Sequence, residues 1–261
     1  MSLALFALIG LSLAPSDDEL LARAEQFFAM GVRTKNDAAL ARPLFAKSAE
    51  AYDQLWNRGH NRPAIAANRA RAHRLAGDLP GAIAALHEGR TVARYDRGLQ
   101  VELAEARAAV PYHSEDLAAQ CRPQQDRGIG TRMSPIEAYL AVGGLWLIAC
   151  LGVARFAMSR APGWLAGTGL ALVAIIALGW LWREDWQARA NLRPLVIVKH
   201  ESRFKTGNGE TWPDRLKWSL PPGVEARELT RRGGWVQVEL ASGVAGWLPE
   251  TSLIEVVDAV Q

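Results

Sequence analysis

The side chains able to do chemistry in this chain are few and dispersed. His60, His73, His87 and His113 are scattered along the first half, with no metal-ligand spacing among them. Histidines so placed belong to turns or cores more often than to metals. Cys121 lies in a polar stretch, CRPQQDRG, and Cys150 lies deep in an apolar run. A cysteine in water and one in lipid cannot easily pair within a chain. There is no G-x-S-x-G, no H-E-x-x-H and no C-x-x-C. The run RGIGTR at 127–132 precedes an apolar segment instead of joining a strand to a helix, so it is not a phosphate loop. The expectation is a chain with no catalytic residue, no metal and no cofactor.

The elements that carry these residues fall on either side of two apolar runs. Residues 136–154 hold Glu137 as their only charge, and residues 163–182 hold none. Each can cross a hydrocarbon core of about 30 Å as a helix. Glu137 sits at the mouth of its run, within reach of water, and reads as structural. The gap between the runs carries Arg155 and Arg160 and no acid. So short a gap forces a helical hairpin, which puts the two polar halves on one side of the membrane. Basic loops stay cytoplasmic, so that side is expected to be extracytoplasmic. Trp164, Trp180 and Trp182 bracket the second run like an aromatic belt, with core packing as the alternative, and Arg183, Glu184, Asp185 and Trp186 mark its return to water. The opening MSLALFALIGLSLAPSDD is too short to span. It suits a signal peptide cut before Asp17, or a short buried helix or uncleaved anchor.

Charge adds an exclusion. Residues 17–133 hold 17 basic and 15 acidic side chains, and residues 183–261 hold 11 of each. Neither half has a basic patch of the kind that tracks nucleic acid.

From Asp17 to about Val110 the spacing is helical and has a period. Ser48, Tyr52 and Leu55 recur 34 residues later as Ala82, Leu86 and Gly89. The segment NRARAHRLAGDLPGAIAALHEG, Asn68 to Gly89, resembles the tetratricopeptide repeat. In that likeness Gly77 and Asp78 make the turn, Ala82 lets the helices approach, and Leu86 fills the core. Ala70 and His73 stand where the family has glycine and tyrosine. The first unit reads as helices 18–31 and 39–58 around an irregular turn at 33–37, and a helix near 97–110 caps the stack. Two repeats and a cap bury little, so either marginal stability alone or packing against a partner or the membrane is expected. The resemblance puts Asn68, Arg71 and Arg74 on a concave peptide-binding face. There they either pair with acidic groups of a ligand or are simply solvated.

After Leu192 the pattern changes to strands. Val236, Val238 and Leu240 alternate with Gln237 and Glu239, and turn clusters occur at 221–223, 232–234 and 242–243. GGWVQVELASGVAGWLPETSLIEV resembles the end of a bacterial SH3-like domain, with Trp235 and Trp247 at its tryptophans and Gly243 and Gly246 around its last hairpin. The likeness implies a small all-β barrel partly filled by Trp247. Trp235 is either a half-exposed ligand-stacking residue or part of the barrel core. Trp235 and Pro249 match a ligand surface, but Ser252 occupies its tyrosine position, which argues against polyproline recognition.

The layout is thus a multidomain membrane protein. It reads as leader 1–16, α-helical tetratricopeptide-like repeat 17–115, linker 116–133, a two-helix transmembrane hairpin (134–157 and 163–182) and SH3-like domain 193–257. This order resembles the BatE family of bacterial aerotolerance operons. The resemblance implies a scaffold in the bacterial inner membrane with both soluble domains extracytoplasmic. Its implied partners are membrane proteins with von Willebrand factor A domains and a MoxR-type AAA+ ATPase, besides membrane lipid. Peptidoglycan binding through the SH3-like domain is the alternative.

Overall fold

The computed structural model describes residues 15–123, 135–190 and 193–256. The body of the leader, the RGIGTR segment and the side chains of Trp182, Glu184, Asp185 and Trp186 lie outside the described residues.

Each helix of the amino-terminal half starts on a local signal. Helix α1 (Asp17–Arg33) opens with a reciprocal capping box between Ser16 and Glu19. Asp37 caps α2 (Ala38–Asn57), and a proline opens α3 (Pro63–Ala76). Helix α3 ends at Gly77, whose φ of 91° suits glycine. Asp78 then caps α4 (Leu79–Val92) by accepting the Gly81 N–H at 3.0 Å. Asp96 and Ser114 cap α5 (Arg97–Ala108) and α6 (Glu115–Cys121). Consecutive helices from α1 to α5 pack on one another. Ala82 and Leu86 are buried, as are Ser48, Tyr52 and Leu55 one period earlier. Buried Ser48 donates its hydroxyl to the Ala24 carbonyl at 2.8 Å, so it can sit where the second unit has alanine.

Residues 116–121 are helix α6, not linker, and Cys121 is buried instead of lying in water. Burial pushes its thiol up to about 12, which leaves it inert at neutral pH.

Two long apolar helices follow, α7 (Pro135–Ser159) and α8 (Gly163–Ala190). Both are long and apolar enough to cross a membrane, and both are largely exposed. They pack on each other where Gly152 meets Thr168, a residue with Cβ being too large for that crossing. The buried Thr168 hydroxyl is satisfied by the Trp164 carbonyl at 3.0 Å. Arg155 lies over the Trp164 ring, 5.8 Å from its centroid.

The strands are β1 (Leu195–Val198), β2 (Glu225–Arg232), β3 (Trp235–Glu239), β4 (Ala245–Pro249) and β5 (Leu253–Val256). They form one antiparallel sheet in the order β4-β3-β2-β1-β5. The expected closed barrel is not formed. β4 and β5 are the two edges, and the sheet is open. Its outer β4 edge is met by Lys205, whose backbone exchanges two hydrogen bonds with Trp247 at 3.0 and 2.9 Å. Phe204, beside it, is the aromatic that fills the interior, being 1 % exposed. Gly246 is required there because a Cβ would stand 2.6 Å from the Phe204 ring. Trp247, expected to fill the interior, is half-buried on the other face, since its neighbours Gly246 and Leu248 point inward.

The two soluble halves share one hydrophobic core. Ile83, Leu86, Leu99, Leu103 and Leu117 of the helices, with Val110 just after α5, join Leu195–Val198, Leu220, Val224 and Val238 in a single buried cluster. Gly223, with φ 94°, would bring a Cβ within 3.1–3.5 Å of Val110, Ile83 and Leu79. The helical stack therefore does find a cover for its open end, and that cover is the chain's own sheet. The shared core also requires both halves to lie on the same side of any membrane that α7 and α8 cross.

Candidate functional site

On α3 the three expected groove residues are not free. Arg71 donates to Glu102 of α5, its Nε 2.8 Å from Oε1, and Arg74 reaches Glu105 at 3.1 Å. Both arginines tie α3 to α5 through ion pairs within the chain while remaining exposed. The likeness to repeat proteins set their position, and only the packing of α5 beside α3 supplied their partners. Asn68 is half-buried beside the Tyr52 hydroxyl.

A more buried network lies behind them. Arg69 pairs with Asp53 of α2 and Glu88 of α4, and its guanidinium sits over the Trp56 ring. His73 lies between Asp53 at 3.3 Å and Asp78 at 2.8 Å. Burial pulls the His73 pKa down, but the hydrogen bonds and charges of the two aspartates outweigh it and hold it at about 9. His73 is therefore a charged structural tie between two helix hairpins, in the position where repeat proteins carry tyrosine.

At the seam, Glu225 opens β2 and is buried. Arg107 of α5 grips it with two hydrogen bonds of 2.6 and 2.7 Å, and His87 of α4 adds a third at 3.0 Å. Burial raises the pKa of this carboxyl, but Arg107 and His87 overcome that and depress it to about 2. Sequence reading named His87 only as a turn or core histidine and missed Arg107 and Glu225. One signal was available. Leu195-Val196-Ile197-Val198 is a continuous apolar run, the mark of a strand covered on both faces.

On the sheet, β3 and β4 bring the expected ligand residues together. Trp235 lies directly opposite Pro249, and Gln237 opposite Trp247. All four are half-buried on the face turned away from Val236, Val238 and Leu248. Elsewhere Trp212 and Trp218, in the long connection between β1 and β2, are 51 % and 44 % exposed. Trp212 lies flat on Gly207, where any side chain would collide with its ring. A shallow cavity of about 270 Å³ lies between α1 and α2, floored by Leu20, Phe27 and Ala51 and rimmed by Arg23, Lys47 and Glu50.

Among the described residues no three of His, Cys, Asp or Glu are grouped as a metal would need. The buried titratable clusters hold elements together, and the exposed surface carries side chains of both charges with single aromatics among them. What this arrangement offers is contact surface. No family model, curated protein or solved structure matches the chain.

Proposed function

We propose that the chain is a non-enzymatic, membrane-anchored scaffold that presents one rigid head to partner proteins. The observation that carries this reading is the shared core. Helices and sheet are built into one body whose sequence is interrupted by two exposed apolar helices fit to cross a bilayer. A head of that kind transmits position, because its two modules cannot move independently. The resemblance to BatE supplies the setting: an extracytoplasmic head in the bacterial inner membrane, beside von Willebrand factor A domain proteins and a MoxR-type ATPase. The test is crosslinking in native membranes followed by mass spectrometry. Partners crosslinked to both α1–α5 and the sheet support the scaffold. Crosslinks confined to lipids and to the chain itself overturn it.

Peptidoglycan binding is kept as a second reading on one observation, the two exposed tryptophans, Trp212 and Trp218. Exposed aromatic rings offer flat apolar faces on which sugar rings can stack. Sedimentation with purified murein sacculi separates the readings. Retention that Trp212→Ala with Trp218→Ala abolishes favours the wall.

A further inference from the structure

The sheet covers one end of the helical stack, and the α1–α2 pair is the other end. The sides of α2 are told apart by what they meet. Asp53 and Trp56 face α3, where Arg69 pairs with the carboxylate and lies over the indole ring. Lys47 precedes Trp56 by nine residues, which is two and a half turns at about 3.6 residues per turn, so it points the opposite way. On that side, turned from α3, lies the shallow cavity between α1 and α2.

Both helices carry a stripe there. On α1 it is Leu20, Arg23, Phe27 and Met30, at successive steps of three, four and three residues. On α2 it is Leu40, Leu44, Lys47 and Ala51, at steps of four, three and four. Steps of this kind keep one side of a helix in line with a neighbouring helix. The stripes meet where Lys47 lies over the Phe27 ring, 5.5 Å from its centroid. Leu20 and Ala51 are buried, and Phe27 and Leu44 are half-buried. Met30 is 40 % exposed and Leu40 is 61 % exposed. The last pair of a helical stack needs a polar outer face if it meets only water. This pair has instead the seam of a helix bundle.

The charges in the seam say what fits it. Arg23, Lys47 and Glu50 are exposed and have no ion-pair partner among the described residues. A seam of one sign would repel its own copy. A seam of both signs matches itself across a two-fold axis, where each contact is made twice, residue i to j and j to i. Glu50 of one copy then faces Arg23 and Lys47 of the other. The apolar positions supply the buried area, and the charges set the register. Two helical hairpins laid seam to seam make a four-helix bundle.

We propose that two copies of the chain associate through the outward side of α1 and α2, forming a four-helix bundle at the end of the head away from the sheet. A head paired in this way presents each of its other surfaces twice. The pairing goes beyond the scaffold reading and depends neither on it nor on α7 and α8 crossing a membrane.

The experiment uses the full chain in detergent, with the protein mass read by light scattering. The native chain is expected at twice the mass of one chain. Met30→Asp with Leu40→Asp is expected to raise the dissociation constant at least about tenfold. The circular dichroism spectrum should not change, because both side chains reach water. Charge reversal separates this side from any other. Glu50→Lys in one variant, and Arg23→Glu with Lys47→Glu in a second, should each weaken pairing, and an equimolar mixture of the two should restore it. A native chain at the mass of one copy overturns the proposal. So does a dimer indifferent to Met30→Asp with Leu40→Asp, which is held elsewhere, and so does a mixture that pairs no better than its components. A photo-crosslinking residue in place of Leu40 reads the occupant in native membranes. The expected adduct is with a second copy, and an adduct with another protein alone overturns the pairing.

Discussion

Arg71 and Arg107 both tie one element to the next through a glutamate, in opposite surroundings. Arg71 meets Glu102 across α3 and α5 with half its side chain in water. Arg107 meets Glu225 across α5 and β2, where the carboxylate is 5 % exposed. In water the Coulomb gain is small and screened, so such a pair contributes little. Under cover the attraction is stronger, but each ion has been stripped of solvent. The pair then costs little while intact and a great deal when one partner is missing. The helix-to-helix clamp is thus an accessory, whereas the helix-to-sheet clamp commits the fold.

The largest effect is expected at the seam. Arg107→Ala, which strands Glu225 in the core, should destabilise the full chain in detergent by about 3–5 kcal/mol, read by denaturant melts followed by tryptophan fluorescence. A triple replacement, Arg107→Met with Glu225→Leu and His87→Leu, should recover most of that loss, because it removes the charges together. If the single and triple variants melt alike, the cost is lost packing and the contrast with Arg71 fails. The pH dependence follows from the depressed carboxyl. Its contribution is fully present above the ordinary 4.5 and is lost as pH falls through about 2.

An intermediate effect belongs to His73. Its pKa is raised from 6.5 to about 9, so its contribution is fully present below 6.5 and is lost as pH rises through about 9. At about 1.4 kcal/mol per pKa unit, this is at most roughly 3–4 kcal/mol. Melting temperature should fall between these pH values in the native chain and stay nearly level in His73→Gln. An equal fall in both would place the titrating group elsewhere.

The smallest effect is expected on the exposed face. Arg71→Ala and Arg74→Ala should each cost about 0–1 kcal/mol, and the small loss from Arg71→Ala should shrink further in high salt. A loss comparable to that of Arg107→Ala would erase the distinction between the two regions.

In the interior of the sheet the same logic orders two aromatics. Phe204→Ala should cost about 3–5 kcal/mol. Trp247→Ala should cost clearly less, because that residue is only partly buried, on the opposite face of the sheet.

Much of the local structure was legible in the sequence. Gly77 and Asp78 announce a helix end and a helix start through backbone chemistry that needs no distant partner. Ala82 and Leu86 fall at a repeat period, and Val236, Val238 and Leu240 alternate as a half-buried strand must. The length and apolarity of α7 and α8 are composition alone. The candidate site was less legible. Trp235 and Pro249 were found by likeness, and strand register made them neighbours. The partners that Arg71 and Arg74 have within the chain were not legible, because Glu102 and Glu105 lie a full helix pair away in sequence.

The sequence by itself determined most of the helix, strand and apolar segments, α6 excepted, because propensity, capping and periodicity act within a few residues. It also determined the hairpin of α7 and α8, through the shortness of the gap between two apolar runs. Only the tertiary structure decided that the sheet stays open, that Cys121 is buried, and that the helical stack is closed by the sheet. Those outcomes depend on which surfaces meet. Ile83, Val110 and Gly223 come together across an intervening pair of long helices, and Glu225 finds Arg107 118 residues away. No short-range pattern encodes that meeting. It is fixed by the apolar area that each half leaves uncovered when it folds alone.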